Sequence, residues 1–269
     1  LPIASGIEFI RGSITDLGML KKVFKDVDVV FHLAALVSVQ ESIEDPIKTN
    51  NVNVNGTLNV LIAAMDNNVE KVVFSSSCAV YGDTDKLPIS EGVKPNPKSP
   101  YAVTKLAAEK YCKVFHEIYG LKTIILRYFN VYGPKQDVNS EYAAVIPKFI
   151  ERILNGKPPI IYGDGKQTRD FVFVKDVVKA NLIAAKSNKT GTFNIASGEG
   201  LSIVNLAKII SEIVGKNLKP IYDKPREGDI RHSVGDISKA KSVLGFEPEY
   251  TIEEGLKESI EWFKKATKS

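Results

Sequence analysis

Lys71-Val72-Val73-Phe74-Ser75-Ser76-Ser77 joins a short β-branched run to three hydroxyls. A run of that length and composition reads as a strand buried on both faces, and the break into serines marks its carboxyl end. Open parallel α/β sheets bind their ligands at that end. Downstream, Ser99-Pro100-Tyr101-Ala102-Val103-Thr104-Lys105 opens a helix, with serine as its cap and proline in its first turn. Tyr101 and Lys105 then lie four apart on one helical face. A phenol titrates near 10, so ionising it at neutral pH takes roughly three units, about 4 kcal/mol, and a neighbouring cation supplies part of that. The pair predicts an acid/base device in which Lys105 lowers the phenol. Tyr162 and Lys166 share the spacing but flank Gly163-Asp164-Gly165, a turn where no helix forms, so spacing alone does not decide.

Working outward, strands and helices alternate. Gly6-Ile7-Glu8-Phe9-Ile10-Arg11-Gly12 reads as a strand, and Asp28-Val29-Val30-Phe31-His32-Leu33-Ala34-Ala35 as a buried strand ending in small residues that admit a flat ligand. Helical periodicity follows from about Ser42 to Asn67. Lys122-Thr123-Ile124-Ile125-Leu126-Arg127-Tyr128-Phe129-Asn130 is a further buried strand, closed by the turn Val131-Tyr132-Gly133-Pro134. After Pro134 the alternation loosens. Gln167-Thr168-Arg169-Asp170-Phe171-Val172-Phe173-Val174 returns to a strand, and a last helix, about Ile252 to Lys265, sets Ile252, Leu256, Ile260 and Phe263 at helical spacing.

The 269 residues, 43% hydrophobic, suffice for a full core. Net charge is +4, but 36 basic and 32 acidic residues are interspersed, which argues against nucleic-acid or membrane-surface binding. No apolar run approaches a membrane span and no signal peptide opens the chain, so the reading is cytoplasmic. Cys78, Cys112 and the 3 scattered histidines form no disulfide framework or metal-ligand pattern, so no metal is expected. His32 reads as a satisfied core histidine.

A strand-end serine followed by YxxxK on the next helix, together with Arg127-Tyr128-Phe129-Asn130-Val131-Tyr132-Gly133-Pro134, resembles the extended short-chain dehydrogenase/reductase family and, within it, the nucleotide-sugar epimerases and dehydratases. The likeness covers nearly the whole chain. It implies an α/β fold, a Rossmann-type doubly wound parallel sheet with a smaller α+β substrate domain. The boundaries expected are 1–133 plus 171–196 for the NAD-binding part and 134–170 plus 197–269 for the nucleotide-sugar part. In the family, a first strand, a GxxGxxG turn, a helix and a second strand precede the stretch matched by Gly6–Gly12. No such glycine turn occurs here. The expectation is therefore an N-terminally incomplete unit wanting about forty to fifty residues, with a gap in the middle of the sheet and the activity belonging to the intact parent.

By the same resemblance, NAD is the cofactor. Ile14, in Gly12-Ser13-Ile14-Thr15-Asp16, is implied to pack on adenine, although Ser13 replaces the family's aspartate. Leu33, Ala34 and Ala35 match the HxAA segment along the dinucleotide, Asn53 belongs to the NVxGT-like Asn53-Val54-Asn55-Gly56-Thr57, Ser75 is implied to be a further cofactor-binding residue, and Phe129 is implied to adjoin the nicotinamide. Ser77, Tyr101 and Lys105 are implied to be catalytic. The substrate side draws on Ser77, on Asn130 for the diphosphate, on Val145 and Tyr162 for the nucleotide, on Arg169 of the RDF segment, on Arg226 of Arg226-Glu227-Gly228-Asp229, and on Ser233. Arginine suits phosphate because it binds bidentately.

The resemblance implies a UDP-hexose 4-epimerase. Tyr101 takes the 4-hydroxyl proton, Ser77 donates to the developing oxygen and a 4-ketose turns over before reduction. Dehydratases carry Asp-Glu after the strand-end hydroxyl; Cys78 and Ala79 stand there and cannot do carboxylate acid/base work at neutral pH. A bulky aromatic seven residues past the RxGD arginine crowds the sugar C2 substituent in 4-epimerases. Ser233 occupies that place, so UDP-GlcNAc/UDP-GalNAc is expected alongside UDP-Glc/UDP-Gal. The alternatives are a UDP-glucuronate decarboxylase or 4-epimerase, and a non-catalytic fragment without a phosphate loop. Family members dimerise through the helix after HxAA and the YxxxK helix, where Val114, Phe115 and Ile118 permit a homodimer.

Overall fold

Four parallel strands carry the candidate site in the computed structural model, which describes residues 6–137, 144–225 and 230–266. In chain order the elements are α1 (Leu17–Val23), β1 (Val29–His32), α2 (Val39–Glu44), α3 (Pro46–Asn50), a π-helical turn (Asn51–Asn55), α4 (Gly56–Asp66), β2 (Lys71–Ser77) and a 3-10 turn (Cys78–Tyr81). Then come α5 (Pro100–Tyr119), β3 (Lys122–Tyr128), β4 (Asn130–Tyr132), α6 (Val145–Leu154), β5 (Ile160–Tyr162), β6 (Thr168–Arg169), β7 (Phe171–Phe173), α7 (Val174–Lys186) and β8 (Gly191–Ile195). The last are β9 (Leu201–Ser202), α8 (Ile203–Val214), β10 (Ile221–Asp223), β11 (His232–Ser233), a π-helical turn (Ala240–Leu244) and α9 (Ile252–Ala266).

The main sheet runs β1-β2-β3-β8, all parallel, with Ser77 opposite Tyr128 and Ile124 opposite Gly191. Side-chain alternation feeds two cores. Val72, Phe74 and Ile125 face Leu61, Ala64, Ala108, Cys112 and Phe115 of α4 and α5. Val73, Ile124 and Leu126 face Val177, Ala180 and Ala184 of α7 together with Phe193 and Phe246. Cover on both faces is what lets β2 and β3 read as unbroken apolar runs. A third core joins α6, α8 and α9 through Phe149, Ile153, Leu206, Ile210, Leu256, Ile260 and Phe263. β7 belongs to two of these cores, because Phe171 and Phe173 enter the third while Val172 enters that of α7.

Local chemistry sets the element ends. Ser99 caps α5 by accepting from the Ala102 amide at 3.2 Å, and Gly120 ends it at φ 74°. Lys71, buried at the start of β2, donates to the carbonyls of Ala184, Ala185 and Ser187, which finishes α7 with a positive charge at its negative end. No helix among the described residues is long and apolar enough to cross a membrane.

Three expectations need correction. Residues 6–12 form no strand; Ile7 and Phe9 lie 62% and 70% exposed, because no neighbouring strand supplies ladder partners there. Nor is there a gap in the sheet among the described residues, since its four strands are contiguous and β1 is the outer one. That position also leaves Phe31 40% exposed and shortens the strand to Val29–His32. The helical stretch from Ser42 to Asn67 is broken at Asp45-Pro46, where proline starts α3 and the Asp45 carboxylate caps it.

Candidate active site

The carboxyl end of β2 and the first turns of α5 bring Ser75, Ser77, Tyr101 and Lys105 together. The Tyr101 amide donates to Ser42 Oγ at 3.1 Å, which ties the start of α5 to α2. The Tyr101 phenol faces the Ser77 hydroxyl, which draws its pKa down, and Tyr101 is 8% exposed. Lys105 Nζ donates to the Ser75 carbonyl at 2.7 Å and lies 5.1 Å from the centroid of the Phe74 ring.

Burial pushes the phenol up to about 12, against the opposing effect of Ser77, and pulls the Lys105 ammonium down to about 8. The expected lowering of the phenol by Lys105 is not the governing effect. Desolvation is, and the ammonium is engaged with the end of β2. His32 is buried, bonded through Nε2 to Thr57 Oγ1 at 2.8 Å, and held neutral by burial at about 3, as a core histidine.

Of the other residues expected on the cofactor side, Leu33, Ala34 and Ala35 follow β1, while Ser75 lies near the end of β2 and Phe129 follows β3. Leu33 and Ala34 are exposed and Ala35 half-buried, an apolar shelf at the mouth of the parallel strands. Asn53 accepts from the Leu36 amide at 2.8 Å and donates to the Leu36 carbonyl and Thr104 Oγ1 at 2.9 and 3.1 Å, so its amide shapes the loop after β1. Ile14 packs over Gly56, where an added Cβ would come within 2.6 Å of its side chain. Ser75 Oγ donates to the Tyr128 hydroxyl at 3.1 Å. Phe129 is buried with Val80, Tyr81, Ile89 and Ala196.

A cavity of about 430 Å³ is lined by four of the residues expected on the substrate side, Asn130, Val145, Tyr162 and Arg169. Sequence reading missed others in its wall, Lys148, Phe149, Arg152 and Gln167. Gln167 Nε2 donates to the Tyr162 carbonyl at 2.8 Å, while its Oε1 is buried without a hydrogen-bond partner among the described residues. A ligand N–H or O–H would satisfy it. Arg226 lies outside the described residues.

Asp170 was also missed as an organiser. Its buried carboxylate accepts from the Ser197 amide and hydroxyl, both at 2.7 Å, and from the Gly198 and Gly235 amides at 3.0 and 3.1 Å. Its carbonyl accepts from both Asn130 nitrogens and its amide donates to the Ser233 carbonyl. The signal was its place beside Arg169, but a carboxylate's acceptor role shows only when distant loops converge. Ser233 is paired with Arg169 in the β11–β6 register and acts to lower the Cys78 thiol's pKa. Burial, reinforced by Asp170, pushes that thiol up to about 12, so it is protonated at neutral pH and no nucleophile.

A family model described as the NAD dependent epimerase/dehydratase family matches residues 2–196. The chain belongs to that family. NAD is accordingly its cofactor, and the open apolar shelf beside the buried tyrosine and ammonium fits a dinucleotide laid across the strand ends. The epimerase is 40% identical over 262 residues to a UDP-glucose 4-epimerase of Mycolicibacterium smegmatis, covering 96% of this chain and 83% of that protein. It is 36% identical over 267 residues to a UDP-glucuronate 4-epimerase of Thermodesulfobacterium geofontis, covering 97% and 80%. The solved UDP-N-acetylglucosamine 4-epimerase from Methanobrevibacter ruminantium M1, in complex with UDP-N-acetylmuramic acid, superposes with a TM-score of 0.93 at 47% identity over 96% of this chain and 83% of that one.

Proposed function

We propose that the protein inverts C4 of a UDP-hexose through a transient 4-keto sugar, acting on UDP-Glc/UDP-Gal and on UDP-GlcNAc/UDP-GalNAc. The observation that carries this reading is the buried Tyr101 facing Ser77 at the strand end, with the buried Lys105 one turn on, together with a cavity lined by Asn130, Tyr162 and Arg169. Bound NAD supplies a reversible hydride acceptor for C4. Tyr101, as phenolate, takes the proton of the 4-hydroxyl and returns it to the same oxygen after the 4-ketose has turned over in the site, and Ser77 stabilises the developing oxygen. Lys105 holds a positive charge at the strand end. Arg169 and Asn130 hold the diphosphate, with Arg226 as a further cation, and Val145 and Tyr162 receive the base. The division into an NAD part, 1–133 plus 171–196, and a nucleotide-sugar part, 134–170 plus 197–269, belongs to the same reading.

The test is to incubate the purified protein with each UDP-sugar and follow the C4 epimer by NMR. No interconversion of any of them overturns the reading, and CO₂ release from UDP-glucuronate assigns the protein to the decarboxylases. The breadth of substrate rests on Ser233, small and 6% exposed against Cys78. Ser233→Tyr is expected to lower kcat/KM on UDP-GlcNAc by roughly 10–200-fold, because overfilling a pocket discriminates on that scale, with UDP-Glc much less affected. Equal losses on both sugars sink this gate.

We also propose a homodimer through α2, α3 and α5. Ile43, Ile47, Val103, Val114 and Ile118 are exposed at 55, 74, 52, 40 and 68%. Phe115 takes no part, being buried at 6% against the sheet. Light scattering on Val114→Glu/Ile118→Glu is expected to give half the wild-type mass, since charge inside an apolar interface is unpaired; a wild-type monomer contradicts the dimer.

A further inference from the structure

Behind the strand-end serines lies a buried ion pair that takes no part in the chemistry proposed above. Glu109, one turn past Lys105 on α5, is 1% exposed, and Arg127 on β3 is 4% exposed. Arg127 binds it bidentately, Nε to Oε1 at 2.8 Å and Nη2 to Oε2 at 2.6 Å. Ser76 Oγ, between the two serines of the site, donates to the same Oε1 at 2.6 Å. Beyond the pair, the guanidinium stacks 4.7 Å from the Tyr81 ring centroid, and the Tyr81 hydroxyl donates to Asn194 Oδ1 at 2.6 Å. Arg127 Nη1 has no hydrogen-bond partner among the described residues. A buried pair with an unsatisfied nitrogen is poor value as a source of stability, because packed apolar residues of the same volume often do as well or better. What the pair does supply is a fixed relation among three elements. One carboxylate on α5 holds Ser76 of β2 and Arg127 of β3, and those two elements, α5 and β2, carry Tyr101, Lys105, Ser75 and Ser77.

We propose that Glu109 is a positioning residue, which locks the register of the Tyr101–Lys105 helix against the strand-end serines and places a negative charge behind the Lys105 ammonium. The proposal rests on the reading of Tyr101 and Lys105 as the catalytic pair. Charge matters because the ammonium is almost wholly desolvated. From β1 it faces neutral His32, from β2 the Ser75 carbonyl and the Phe74 ring, and from its own helix Cys112 and Glu109, while Arg127 of β3 is turned onto Glu109. Burial lowers Lys105 to about 8, and the Glu109 carboxylate opposes that fall. Without it the ammonium loses its proton at a lower pH, and with it the positive charge beside Tyr101.

The test follows Lys105 by NMR of isotopically labelled lysine side chains, with the Lys105→Met variant for assignment, next to the pH profile of kcat. Glu109→Gln is expected to lower the Lys105 midpoint by about one pH unit and to move the alkaline limb of kcat the same way, while Glu109→Asp keeps both near wild type. Ser76→Ala removes only the tie to β2; it is expected to lower kcat roughly tenfold or more, with KM and the Lys105 midpoint unchanged, as a small misplacement of reacting groups does. An unmoved Lys105 midpoint in Glu109→Gln overturns the proposal, and so does a wild-type kcat in Ser76→Ala. If Glu109→Gln does not fold, Ser76→Ala decides alone. A wild-type protein without epimerase turnover overturns the function proposed above, yet the Lys105 midpoint in Glu109→Gln still decides this one.

Discussion

Tyr101→Phe is expected to lower kcat on a UDP-hexose by roughly 10²–10⁴-fold, the range that positioned acid/base groups contribute, while the protein stays folded. The ring fills the same space and the α5 backbone is fixed independently, by the Ser99 cap and by the Tyr101 amide on Ser42 Oγ. What disappears is one oxygen, the atom of the side chain that faces Ser77. The pH dependence carries a sign as well. Burial holds the phenol up at about 12, so in the resting site it is protonated at neutral pH, and the active fraction of the wild-type enzyme should grow as pH rises toward the alkaline limb set by Lys105. The residual rate of Tyr101→Phe should lack that rise. Steady-state kinetics across pH measure both, and undiminished turnover in this variant removes the mechanism.

Asp170→Ala has the second large effect, expected at about 3–5 kcal/mol of stability, in the range for breaking a buried charged network. The carboxylate takes hydrogen bonds from Ser197, Gly198 and Gly235, and its loss leaves the buried Gly235 amide and the part-buried contacts to Ser197 and Gly198 without that acceptor. Because the same residue positions Asn130 and Ser233 through its backbone, KM for the UDP-sugar should rise more than kcat falls. Asp170→Asn, which retains one acceptor oxygen, should be milder on both counts. Urea unfolding midpoints and KM are the measurements, and a wild-type midpoint in Asp170→Ala means that the loops are held by something else.

Legibility in the sequence followed the range of each interaction. The strand Lys71–Ser77 and the start of α5 were readable because a β-branched run and a Ser-Pro cap act within a few residues. The same locality misled at residues 6–12, whose composition suits a strand but whose backbone finds no partner. Phe115 was readable as apolar and not as inward-facing, since the difference between it and Val114 is one helical step relative to a sheet far away in sequence.

The amino-acid order by itself determined which chemistry is available: a phenol and an ammonium one turn apart, hydroxyls at a strand end, and Cys78 and Ala79 where a dehydratase needs carboxylates. The first two follow from residue type and short spacing, and the third from the family resemblance. Only the tertiary structure decided the ionisation of those groups and the alignment of the loops around them. Desolvation sets Tyr101 at about 12 and Lys105 at about 8, and it depends on every element packed above them. The grip of Glu109 on Ser76 and Arg127, and of Asp170 on Ser197, Gly198 and Gly235, joins residues far apart along the chain. A buried carboxylate is defined by the donors that converge on it, and convergence is a property of the fold.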